Sequence, residues 1–86
     1  GQFTNTEAAV LEAVQVFPNP VQDELNLSLP AGTTLEQARL YHANGQLLAE
    51  WEGTVRQLEV GQWPNGAYTV ELQTNYGVVR RLVVKQ

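Results

Sequence analysis

His42 is the only histidine in the 86-residue chain, and there is no cysteine. A nucleophilic triad needs an imidazole beside a buried acid and a hydroxyl set in a cleft. His42 falls at a strand end beside Asn44-Gly45, in phase with Ala38 and Leu40, and the lone serine, Ser28, sits on the polar side of another strand. That pattern is a structural or solvated histidine. Among the acids, Asp23-Glu24 adjoin, and Glu50 and Glu52 share a strand face about 7 Å apart, a separation that two-carboxylate glycosidases use. So short a chain has little with which to build the groove and desolvated acid such an enzyme needs, so these acids read as polar outer face. Zinc lacks ligands, and no loop places Asp and Asn at calcium-binding spacing; no metal or cofactor is expected. Trp51, Trp63, Tyr41, Tyr68 and Tyr76 would suit a sugar-stacking platform, yet Tyr68 reads as core and Trp63 as a corner plug. Arg80-Arg81 with Lys85 is the only basic cluster. Strand neighbours alternate faces, so the two arginines cannot reach one partner. One of them is expected along a sheet edge, where charge discourages edge-to-edge pairing.

Five Lys+Arg against nine Asp+Glu leave a formal charge of −4. Phosphate-tracking and anionic-lipid surfaces need dense cations, so nucleic acid and membrane surface are poor partners. At 9.5 kDa the chain makes one small domain, which buries only ~60% of the surface of its unfolded chain. That argues against a deep cavity for a small-molecule substrate. Charged residues make up 16%, below the ~25% usual for soluble proteins, which suits a compact β-domain with Thr, Gln and Asn outside. No apolar run approaches ~18 residues, and the first residues lack a signal-peptide pattern. The absence of Met leads us to expect a piece of a longer or processed polypeptide.

The elements that must position these residues are cut short by Gly, Pro and Asn. Residues 1–13 read as a linker, with Thr6 as a possible cap for a helical turn or two that would be marginal alone. The domain spans 14–86. Val14–Phe17 is a first strand, and Pro18-Asn19-Pro20 must leave the sheet because two residues lack a donor. Asp23–Leu29 alternates, with Leu25 and Leu27 inward. Gln37–Ala43 and Gln46–Glu52 flank Asn44-Gly45, the signature of a two-residue type I′ hairpin turn. Leu40 points inward from the first arm, and Leu47, Ala49 and Trp51 share a face of the second. Val55–Val60 contributes Leu58 and Val60. Gly61–Gly66 is a corner, Ala67–Thr74 puts Tyr68, Val70 and Leu72 inward with Glu71 opposite, and Asn75-Tyr76-Gly77 turns into Val78–Lys85. Seven strands so spaced make an all-β antiparallel sandwich or small barrel.

Taken in order, the punctuation resembles a known family. Val16-Phe17-Pro18-Asn19-Pro20, the Asn44-Gly45 hairpin, Trp63-Pro64-Asn65-Gly66-Ala67-Tyr68 and the closing Gly77-Val78-Val79-Arg80-Arg81-Leu82-Val83-Val84-Lys85 are similar to the C-terminal sorting domains of type IX (Por) secretion cargo of Bacteroidetes. Trp63 stands where that family more often has Leu, and His42 where Asn or Asp is common. The resemblance implies an immunoglobulin-like β-sandwich of about seven strands, without enzymatic activity of its own, that directs an attached cargo through the periplasm to the cell surface or outside. It implies as partners an outer-membrane translocon with shuttle proteins, an upstream cargo domain, and a sortase-like cysteine protease that cuts in the linker. The recognition residues it implies are Pro18, Asn19, Pro20, Gly45, Gly66, Tyr68, Gly77 and Arg80 to Lys85. The competing expectation is a carbohydrate-binding or fibronectin-like accessory domain of a secreted enzyme, which the exposure of the tryptophans would decide.

Overall fold

Leu25 and Leu27, Ala38 and Leu40, and Tyr68, Val70 and Leu72 recur two residues apart, and every one is buried. Period-two burial of this kind forces strands that turn one face inward. The computed structural model describes residues 6–86, with side chains from Ala9 onward. A helix α1 (Thr6–Glu12) leads into β1 (Gln15–Phe17), β2 (Glu24–Ser28), β3 (Leu35–His42), β4 (Leu47–Glu52), β5 (Gln57–Glu59), β6 (Gly66–Thr74) and β7 (Gly77–Lys85). The cap expected at Thr6 rests on a side chain outside those described.

The strands form two antiparallel sheets, ordered β1-β2-β5 and β4-β3-β6-β7. First, second and fifth strands facing third, sixth and seventh is the immunoglobulin-like arrangement; here β4 extends the second sheet beside β3. Val14, Leu35, Leu58, Val60, Val79 and Val83 complete a core between the sheets. Each buried aliphatic side chain contributes about 1.5–3 kcal/mol relative to exposure, which is what holds the two layers together.

Two expectations about the β3–β4 hairpin fail. Gly45 has φ +93°, but Asn44 does not have positive φ, so the turn is not type I′. The Gly45 amide donates to His42 O at 2.8 Å, and the His42 amide to Gln46 O at 2.8 Å. These bonds define a three-residue loop in which a left-handed glycine makes a bulge. Asn44 Oδ1 accepts from the Gln46 amide at 2.9 Å and fixes the loop. A separate irregularity then interrupts the ladder between Leu40 and Tyr41, so that Leu40 pairs with Ala49 but Tyr41 with Leu47, and Leu48 is the extra residue. Leu47 therefore moves off the face of Ala49 and Trp51 and is 45% exposed. A Cβ at Gly45 would meet nothing within 4 Å, so only backbone conformation resists a larger residue. Gly45→Val is expected to cost about 1–3 kcal/mol, seen as a lower urea midpoint with an unchanged slope.

Candidate functional site: the opening loop against the last strand

β1 pairs with β2 through Phe17↔Asn26, and the Phe17–Pro18 and Asn19–Pro20 bonds are both cis. At Val21 the chain touches the other sheet before β2 returns it to the first. Val21 bridges Lys85 in parallel, donating its amide to Val84 O at 2.8 Å and accepting from the Gln86 amide at 2.8 Å. Strands that switch sheets make the corners of a sandwich, and Pro18-Asn19-Pro20 is such a corner. Neither proline can donate a hydrogen bond there. The Asn19 side chain does so instead: Nδ2 donates to Leu82 O at 3.3 Å, and Oδ1 accepts from the Val84 amide at 2.9 Å. One carboxamide thus substitutes for a peptide group on the outer edge of β7.

Register places the other motif residues. Gly66 faces Lys85, and Tyr68 faces Val83 on β7 and His42 on β3. The Gly45 loop therefore lies at the same end of the sandwich as Asn19 and Leu82–Lys85. The Tyr68 hydroxyl donates to Pro64 O four residues upstream, as a corner tyrosine does where the fifth strand passes to the sixth. Lys85 is 8% exposed and lines the same interior gap of ≈ 10 Å³ as Tyr68 and Val83. Leu82 is 65% and Val84 38% exposed, so this edge presents an apolar surface. Gly77, by contrast, lies at the far end of β7, about 27 Å away at the usual rise per residue. Arg80 and Arg81 lie along the strand between.

The two arginines do have separate partners. Arg81 Nη2 donates to Leu11 O at 3.1 Å and Val14 O at 3.2 Å. Arg80 reaches Glu71 Oε2 at 2.9 Å. Glu71 was expected on the solvated side of β6 but is only 7% exposed. The cause is cross-strand pairing, since Arg39 of β3 and Arg80 of β7 are both in register with it. Arg39 lies 3.0 Å from Glu71 Oε1 and 3.1 Å from Glu50, and Tyr41 OH donates to Glu71 as well. Burial alone would raise the Glu71 pKa, but the Arg39 hydrogen bond, the Arg80 charge and the Tyr41 hydrogen bond outweigh it and hold the carboxyl below its ordinary value. Hydrogen bonds to Glu50 and Glu71 in turn raise Arg39. Sequence could have flagged this cluster only as three charges on outer-face positions.

The remaining chemical candidates stay apart. Glu50 pairs with Arg39, whereas Glu52 accepts from Gln37 at 2.6 Å, so each carboxylate is held by its own cross-strand partner. His42 is exposed and stands edge-on to Tyr68, with ring centroids 5.9 Å apart; Ser28 is exposed on the other sheet. Trp51 and Trp63 meet edge-to-face at 6.4 Å and are half-buried against the core. They do not form the flat face that a sugar platform needs. No group of three or more potential metal ligands occurs among the described residues.

The family whose description is secretion system C-terminal sorting domain matches residues 15–85. A search of curated proteins finds no match. Among solved structures, the chain is similar to PorZ, described as an essential bacterial surface component of the type-IX secretion system of Porphyromonas gingivalis, with a TM-score of 0.68 and 19% identity. That similarity covers 94% of this chain and 12% of PorZ, and at such identity it speaks to fold. The family match begins at the first residue of β1 and ends at the last residue of β7, so the chain belongs to the family of secretion system C-terminal sorting domains.

Proposed function

We propose that residues 14–86 are a folded address label read at the end where Asn19 meets Leu82–Lys85. On this reading the outer-membrane translocon and its shuttle proteins take up that end from the periplasm. A cargo joined through residues 1–13 is carried across, and a sortase-like cysteine protease then removes the label. Membership in the family already carries the coarser role: a sorting signal rather than an enzyme, working with secretion machinery to place cargo at the cell surface or outside. The observation that supports the finer reading is the Asn19 carboxamide on Leu82 O and the Val84 amide. It joins residues 63 and 65 positions apart, so the two ends of the motif set exist as one surface only in the folded state. Pro18, Pro20, Gly45, Gly66 and Tyr68 support that surface, while Gly77, Arg80 and Arg81 serve the opposite half of the sheet.

The test is a fusion of residues 1–86 to an inert reporter in a type IX-competent bacterium. The reporter is expected on the surface or in the medium, ending within residues 1–13 by mass. A reporter held in the periplasm overturns the reading, and release with the domain still attached overturns the cleavage step. Asn19→Ala in the same fusion is expected to cut export severalfold, whereas export at the parent level would remove this surface from the recognition step.

A further inference from the structure

The chain that enters the domain is not free of it. α1 has seven residues and no basic residue in its last turn, and a helix of that length is marginal in water. Its C-terminal carbonyls attract a cation, and β7 supplies one. Arg81 Nη2 bonds Leu11 O and Val14 O, and its Nη1 bonds Arg80 O at 3.0 Å. Leu11 supplies the apolar half of the contact. It packs against the core, with Cδ1 3.5 Å from where a Cβ at Gly77 would lie. Beyond this latch Val14 is 1% exposed, so the chain is fixed in the core from there onward.

We propose that α1 and β7 form a releasable dock, latched by Arg81, that shields the peptide bonds from Thr6 to Val14 from a protease until β7 lets the helix go. A protease needs its substrate extended, and a docked helix presents no extended segment. Cleavage then follows the population of the opened form. The strand that carries the latch is also the strand clamped by Asn19 and Val21 at its other end. Engagement of β7 by a partner would loosen the dock, so the label is read before the chain ahead of it is cut. The inference rests on the proposed removal of the domain, but the dock itself is testable without secretion machinery.

The experiment is limited digestion of the purified 86-residue chain with a glutamate-specific endoprotease, following the Glu12–Ala13 bond. In the parent this bond is expected to be cut at least tenfold more slowly than in a peptide of residues 1–14. Arg81→Met, which keeps the stem and loses the donors, is expected to speed the cut about tenfold while bonds after Glu59 and Glu71 stay intact. Leu11→Ser removes the apolar half and is expected to act alike; it decides the matter if Arg81→Met unfolds the sheet. Residue-resolved hydrogen exchange is expected to quicken at the Ala13 and Val14 amides and not at Leu72. Parent cleavage as fast as the free peptide, or both variants cut at the parent rate, would overturn the dock. Either result leaves the export experiment standing, and a failure of export leaves the dock standing.

Discussion

Tyr68→Ala is expected to lower the stability of the domain by about 3–5 kcal/mol, the range for aromatic truncations in a packed core. Tyr68 is 4% exposed and sits between His42 and Val83 on the inner face of the four-stranded sheet. Removing the ring opens a void at the end of the sandwich where the motif residues gather. Its hydroxyl also satisfies Pro64 O, so Tyr68→Phe isolates the hydrogen bond and is expected to cost about 1 kcal/mol. A chain of this length is stable by about 4–13 kcal/mol in all, so the alanine variant loses a large share of it. Urea denaturation at 25 °C reads both values. A loss under 1 kcal/mol for the alanine variant would show that the corner collapses without cost.

Glu71→Gln carries the second large effect, about 1–3 kcal/mol at neutral pH. Breaking a fully interior ion pair costs about 3–5 kcal/mol, but here Arg80 is 66% exposed and water screens its side of the contact. The effect depends on pH with a definite sign. Glu71 is held below its unfolded value, so its stabilisation is complete above the ordinary carboxylate range and is lost as pH falls through the folded value. The gap between parent and variant is therefore expected to narrow on acidification below about pH 4. Glu24 runs the other way. A hydrogen bond with its cross-strand neighbour Glu59 raises it, helped by partial desolvation and by the charges of Glu59 and Asp23. What Glu24 adds is complete below the ordinary carboxylate range and is lost as pH rises through its folded value. Glu24→Gln is the control that leaves the acid limb to Glu71. A parent–Glu71→Gln gap that holds constant from pH 7 to pH 3 would refute the assignment.

How much of this was legible beforehand depended on distance along the chain. Alternation in Leu25/Leu27 and Tyr68/Val70/Leu72 is a local property, and it located the strands and their inner faces. The hairpin was half legible. Asn44-Gly45 marked the turn, but choosing between a two- and a three-residue loop depends on one φ angle. Leu47 lies outside because of a second irregularity, between Leu40 and Tyr41, that no local motif announces. Glu71 looked solvated because its arginine partners lie 32 and 9 residues away, and only the register of three strands brings them together. Asn19 was visible as a residue between two prolines. Its bond to a strand more than sixty residues later was not, since nothing local encodes which edge a sheet-switching corner will cover.

Because α1 approaches beside Gly77 while Asn19, Gly45, Gly66 and Leu82–Lys85 collect at the other pole, the proposed reading sets passenger and reader at opposite ends of the fold. On that reading a passenger of any bulk, joined ahead of Thr6, would hang from one pole and throw no steric shadow on the other. Interchangeability would then be built into the geometry, one tag serving passengers of different size without retuning any of them.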